Sequence, residues 1–325
     1  MTRRSLLAGS VGLAAGAATA APFFLPKYDR DQRPARSRVA IVRADEYSER
    51  LEGALMNALR LFDLNIAGKS VLLKPNLVDF VPGVHMNTHP VLVTAAAECF
   101  RRLGARSVTV AEGPGHQRDT QLVLSESGFQ AELAKQRTPF VDLNRDELVK
   151  IKLCATYTSL GHLFLPRTVL SHDFVVSMPK VKTHHWSGVT LSMKNMFGVV
   201  PGTKYGWPKN ILHWSGIQQS ILDICATVPI HFVIADGIVA MEGNGPLAGT
   251  SRPLHSIVLS DDPVAADATC ARLMGFKPEG IPYIYEAVKF LGNASTILID
   301  QLAGQVTVPD TPFKVVPEFE HLRAS

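Results

Sequence analysis

The chain has 325 residues, 46% of them hydrophobic and 19% charged, which excludes a disordered or fibrous protein and leaves ample length for a buried core. Its formal net charge of +4 is too small for wholesale nucleic-acid binding through a basic surface. The four cysteines, Cys99, Cys154, Cys225 and Cys270, stand far apart, so no cysteine-ligated iron–sulfur cluster held by local spacing is expected, and a disulfide scaffold does not suit this size.

In chain order, Arg3-Arg4 precede an apolar, Ala- and Gly-rich run over 6–18, and Ala18-Thr19-Ala20 offers small residues to a signal peptidase. This is the layout of a secretory signal, and the paired arginines point to the twin-arginine export machinery. The expectation is a twin-arginine signal peptide over 1–20 and an exported protein, periplasmic or extracellular. The run is too short for a stable membrane span, and an uncleaved N-terminal anchor is the rival reading. Residues 21–37, with Pro22, Pro26 and Pro34 among charges, read as a linker, and 38–325 as one domain.

Strands are expected at 39–42, 70–73, 108–111, 173–178, 232–235 and 256–259. Helices are expected at 48–62, from Thr88 and Pro90 to a stop at Gly104, and at 189–197, 211–226, 264–274 and 283–291. Strands alternating with helices give an α/β fold, a mostly parallel sheet with helices on both faces. Residues 119–170 leave open whether they form a subdomain.

A parallel sheet places its binding crevice beyond the carboxyl ends of its strands. Polar groups follow five expected strands: Lys74 and Asn76; Glu112 and His116; Lys180, Lys182, His184 and His185; Asp236 and Glu242; Asp261 and Asp262. Any one polar loop is unremarkable; lysine, histidine and carboxylates at five strand ends point to a shared site. The 49 residues 174–222 contain no Asp or Glu, yet carry Lys180, Lys182, Lys194, Lys204 and Lys209 with His184, His185 and His213. Cations without local acids need an anion from elsewhere, a ligand or the acids that follow. The bland alternative is a solvated basic face. No P-loop or dinucleotide fingerprint is present. Asp236-Gly237 and Glu242-Gly243-Asn244-Gly245-Pro246 read as a turn-rich loop able to hold a cation or supply a base. His184, His213 and Glu242 are candidate ligands for a divalent metal, although their spacing is not local.

Five blocks in order carry a resemblance: Lys74-Pro75-Asn76-Leu77, Pro179 to His184, Ser192 to Gly198, Asp236-Gly237-Ile238 with Glu242 to Pro246, and Ser260 to Asp267. Together, over roughly 38–275, they resemble the DUF362 family. That resemblance implies no settled activity; some members are joined to an iron–sulfur module, for which this sequence lacks the cysteines. A more distant likeness is to the lactate racemase LarA superfamily. Some of its members hold a nickel-pincer cofactor through a lysine and a histidine and racemise 2-hydroxy acids.

The resulting expectation is an exported enzyme acting on a small anionic substrate, a carboxylate or phosphate. Lys180, Lys182, His184, Asp236 and Glu242 would be catalytic. Lys74, Asn76, Lys194, Asn195, Asn244 and Asp261 would bind the ligand, with a divalent metal assisting. Lysine charge beside a carboxylate suits proton transfer through an enolate. The alternatives are a non-catalytic protein binding an anion or a metal complex in the same crevice, and an interaction module with a convex basic surface.

Overall fold

The computed structural model describes residues 33–115 and 119–324. The expected signal segment, most of the linker and His116 lie outside the described residues. Twelve strands are found among the described residues: β1 (Ser37–Arg43), β2 (Ser70–Pro75), β3 (Ser107–Glu112), β4 (Phe140–Asp142), β5 (Leu148–Lys152), β6 (His162–Pro166), β7 (Phe174–Met178), β8 (Lys180–His184), β9 (Gly188–Thr190), β10 (Phe232–Asn244), β11 (Ala248–Ser260) and β12 (Ile299–Ala303). Ten form one sheet in the order β12-β1-β11-β10-β7-β2-β3-β4, with β8 branching from β10 and carrying β9; β5 and β6 pair separately. The ladders joining β10, β7, β2, β3 and β4 are all parallel. β11 runs antiparallel to both of its neighbours, β1 and β10.

Period-two alternation sorts the strand side chains onto two cores. Val71, Leu73, Phe174, Val176, Phe232 and Ile234 join one apolar cluster; Leu72, Val175 and Val233 join the other. Helices Arg50–Leu59 and Pro90–Arg102 cover the first face through Leu51, Leu55, Leu92 and Phe100. Helices Ile217–Thr227 and Pro263–Leu273 cover the second through Ile221, Ile224, Val264 and Ala268. The sheet is therefore mostly parallel with helices on both faces, as the alternating pattern predicted.

The start signals read at Thr88 and Pro90 produce a helix beginning at Pro90, with His89 as its N-cap. Three expectations need correction. The 189–197 helix is instead β9 followed by a single helical turn, Ser192–Asn195, because Gly188 and Thr190 extend the β8 hairpin. The 211–226 helix is broken at Gly216, which takes a φ of 94° that other residues adopt at a cost. Residues 119–170 feed the main body: β4 edges the large sheet, and Leu163 and Leu165 of β6 are core residues. The largest change is at 232–260. Asp236 to Glu242 is not a loop but the middle of a 13-residue strand, hydrogen-bonded along its length to β11. Among the described residues no helix is long and apolar enough to cross a membrane, and the four cysteines are free thiols.

Candidate functional site

Parallel pairing of β2 with β3 sets Leu73 beside Val110, so Lys74 and Glu112 leave the sheet at the same edge. Both are fully buried and form an ion pair. The Lys74 Nζ also donates to Pro75 O at 2.9 Å and Asn195 Oδ1 at 2.7 Å, giving its three protons three acceptors. Burial lowers the Lys74 pKa while Glu112 pulls it back up. Asn195 is itself fixed by its amide, which donates to Lys74 O and Ser177 Oγ. Gly198 packs so closely on this pair that a Cβ there would collide with Glu112 Oε1 and Lys74 Nζ. The turn bearing Lys194 and Asn195 is anchored from below: Asp267 accepts from Ser192 N at 2.6 Å and Met193 N at 3.2 Å.

A cavity of about 110 Å³ opens beyond these strand ends. Its walls include Asn76, Glu112, Lys182, His184, His185, Thr190, Lys194, Asn195, Lys209 and His213. An engineered cavity of about 150 Å³ holds benzene, so this space suits a small organic molecule. Glu112 is the one carboxylate on the walls among the described residues, and Lys74 already occupies it. Three further lysines therefore face the cavity with no acid of their own. Among the described residues Lys182 donates only to Met86 O, at 2.7 Å, and burial followed by the charges of Lys194, Lys180 and Lys74 holds its pKa well below the ordinary lysine value. Burial brings Lys209 down to about 7, although its Nζ donates to Phe197 O at 2.7 Å and Gly113 O at 3.0 Å. Lys194 is also lowered to about 7, by burial and then by Lys74. Its amine lies 4.0 Å from the centroid of the Phe197 ring and has neither a hydrogen bond nor an ion pair with any described residue.

Two polar atoms on the walls have no partner among the described residues, Asn76 Oδ1 and Thr190 Oγ1. Orphaned buried polar atoms are costly unless a ligand or water satisfies them. Hydrogen bonding also sets the histidine tautomers. His184 Nδ1 accepts from Trp186 N at 3.0 Å, so Nε2 carries the proton of a neutral ring, and burial holds its pKa well below the usual histidine value. His185 Nδ1 donates to Gly245 O at 2.6 Å, which leaves Nε2 as an acceptor.

Of the residues expected to form the site, Asn76, Lys182, His184, Lys194, Asn195 and His213 line the cavity, and Lys74 braces it. Lys180, Asp236, Glu242, Asn244 and Asp261 do not. Lys180 and Asp236 are register partners across β8 and β10 and form a separate buried pair, with Nζ to Oδ2 at 2.7 Å. Lys180 also donates to Tyr47 Oη at 2.9 Å and Val239 O at 3.0 Å. Glu242, carried along β10, pairs instead with Arg252 at 2.7 Å. Asn244 is exposed at the end of that strand. Asp261 follows an antiparallel strand, so it emerges at the opposite edge of the sheet and pairs with Arg38. Among the described residues, no three His, Cys, Asp or Glu side chains gather to hold a metal. Glu242 is held by Arg252 and is not on the cavity wall with His184 and His213, and the His184 tautomer leaves Nε2 without a lone pair for one. Glu112, Lys209, His185 and Thr190 are cavity residues that the site reading left out. The acid-free stretch holds Lys209, His185 and Thr190, and Glu112 follows β3, so the signal was present.

Because Lys180 serves the scaffold, Lys180→Met is expected to destabilise the fold by about 3–5 kcal/mol, the cost of removing one member of a buried ion pair. Asp236 keeps three donors, Tyr47 Oη, His89 N and Ile238 N. Chemical denaturation checks the loss, and the folded variant should still bind ligand, because Lys180 is not on the cavity wall.

The fold and this cavity define an α/β protein with a buried lysine cluster at the carboxyl edge of a parallel sheet. The chain belongs to the family described as a domain of unknown function, DUF362, whose model matches residues 71–272. It is 26% identical over 261 residues to a thylakoid-associated protein of Synechocystis sp., a match covering 75% of this chain and 76% of the relative. A solved lactate racemase apoprotein from Thermoanaerobacterium thermosaccharolyticum is similar at 14% identity and a TM-score of 0.41, over 64% of this chain and 51% of that one. A solved protein from Thermotoga maritima is similar at 12% identity and a TM-score of 0.35, over 62% and 53%. The chain thus spans about half the length of these two solved structures.

Proposed function

We propose that the cavity binds a small organic anion, a carboxylate or phosphate, and that the protein is an enzyme moving a proton beside that anionic group. The observation that carries this reading is the presence of Lys182, Lys194 and Lys209 on one buried wall whose sole carboxylate among the described residues is already engaged. An entering anion supplies the missing counter-charge and draws the amines back to ammonium. Asn76 Oδ1 adds a preference for a ligand bearing an O–H or N–H group. His184 Nε2–H is a neutral donor, and His185 Nε2 is an acceptor placed to take a proton. Lysine charge stabilises the enolate that proton removal next to a carboxylate creates. Export through the twin-arginine route remains part of the proposal and rests on Arg3-Arg4 and the apolar run after them.

The test is thermal shift and calorimetry with lactate, acetate and inorganic phosphate, followed by product analysis. Wild type is expected to gain stability with at least one of them; saturation at a hundredfold over Kd corresponds to about 2.7 kcal/mol. The double variant Lys194→Met, Lys209→Met should bind at least about tenfold more weakly, since each lost ionic contact is worth on the order of 1.5–3 kcal/mol. Its empty form should be no less stable, because two desolvated amines have been removed. Equal affinity in the two proteins would contradict the assignment. Stabilisation without any product would favour a binding protein over an enzyme.

A further inference from the structure

The three cavity amines differ in how they are held. Lys209 Nζ is tied to two backbone carbonyls and Lys182 Nζ to one. Lys194 Nζ has no hydrogen-bonding partner among the described residues, yet its side chain is nine-tenths buried and lies on the cavity wall. Its backbone is rigidly placed, because the turn that carries it is clamped by Asp267 and by the Asn195 contacts to Lys74. A free, desolvated amine flanked by other lysines is the arrangement that turns lysine into a carbonyl nucleophile, since neighbouring cations favour its neutral form.

We propose that Lys194 forms an imine with a small 2-oxo acid whose carboxylate is held by Lys182 and Lys209. This rests on the anion reading above and narrows its substrate class to carbonyl acids. The Nζ lone pair attacks the carbonyl carbon and a C–N bond forms. The carbonyl oxygen leaves as water, taking up the two protons that the amine gives away. Protonation of the resulting C=N gives an iminium, which withdraws electrons from the adjacent carbon. His184 Nε2–H is the neutral donor available to the carbonyl oxygen during attack. The depression of the Lys194 pKa to about 7 keeps a large neutral fraction at physiological pH.

The test uses the full-length protein with pyruvate and, separately, glyoxylate as probes. Borohydride is added to reduce any imine to a stable secondary amine, and the adduct is located by intact mass and peptide mapping. Calorimetry with pyruvate and acetate runs in parallel without reductant. The expected result is one adduct per chain, on Lys194, absent from Lys194→Arg and Lys194→Met, with a trapping rate at saturating probe that rises with pH as the Lys194 ammonium gives up its proton. Binding of pyruvate without an adduct, or an adduct on another lysine, overturns the imine and leaves the anion site standing. Failure of pyruvate and acetate to bind, together with no adduct, overturns both.

Discussion

Glu112→Gln is expected to lower the stability of the protein by about 3–5 kcal/mol, the cost of removing one member of a buried ion pair and stranding the other. Glu112 and Lys74 are 1% and 0% exposed, so water cannot replace the lost charge. Lys74 would retain Asn195 Oδ1 and Pro75 O as acceptors, but both are neutral and do not offset a desolvated ammonium. The damage should spread to the cavity floor, because Glu112 also accepts from Gly113 N and Leu77 N. Combining it with Lys74→Met removes the stranded charge and should recover most of the loss, since replacing a buried pair by groups of similar volume is often close to neutral. Urea unfolding followed by tryptophan fluorescence reads both numbers. A loss below about 1 kcal/mol in the single variant would mean that Lys74 has already shed its proton and the pair is not ionic.

Anion affinity should fall steeply as pH rises above about 7, the value to which Lys194 and Lys209 are lowered. Each lysine that must be protonated in the complex and is neutral without ligand weakens binding about tenfold per pH unit, so two give up to about a hundredfold. The empty protein should behave in the opposite sense. Its lysines titrate near 7 when folded and near 10.4 when unfolded, so between those values the unfolded chain binds more protons. Stability without ligand therefore rises with pH across that window, by up to about 1.4 kcal/mol per unit for each lysine. Denaturation midpoints and calorimetric affinities measured over the same pH series separate the two trends. The difference has one physical cause: burial opposes the ammonium form and a bound anion restores it.

How much of this was written in the sequence varies by element. The parallel strands β2, β3 and β7 were legible because each is a short apolar run, which already put Lys74 and Asn76 at the carboxyl end of β2. The acid-free stretch was equally legible, and it supplies Lys182, His184, Lys194 and Lys209 to one cavity. What the sequence hid was direction. β11 reverses against β10, so Asp261 emerges at the far edge although it follows a strand as Lys74 does. The glycines of the 236–246 segment look like turn chemistry, yet Gly237 and Gly243 sit within a strand whose ladder to β11 runs on past them with one irregularity. That extension pairs Glu242 with Arg252 and leaves it off the cavity wall that the histidines line. Strand pairing also matched Lys180 with Asp236, an internal pair that consumes both charges. Lys209 reaches its two carbonyls from a left-handed backbone, φ 68°, which no spacing rule anticipates.

The most direct measurement is calorimetric titration of the wild-type protein with a small carboxylate, slightly above neutral pH, in two buffers of different ionisation enthalpy. The expected result is one site per chain with net proton uptake from the buffer. That uptake should shrink when Lys194 and Lys209 are both replaced by methionine. Binding with no exchange of protons, or no binding of carboxylate or phosphate at or below neutral pH, would contradict it.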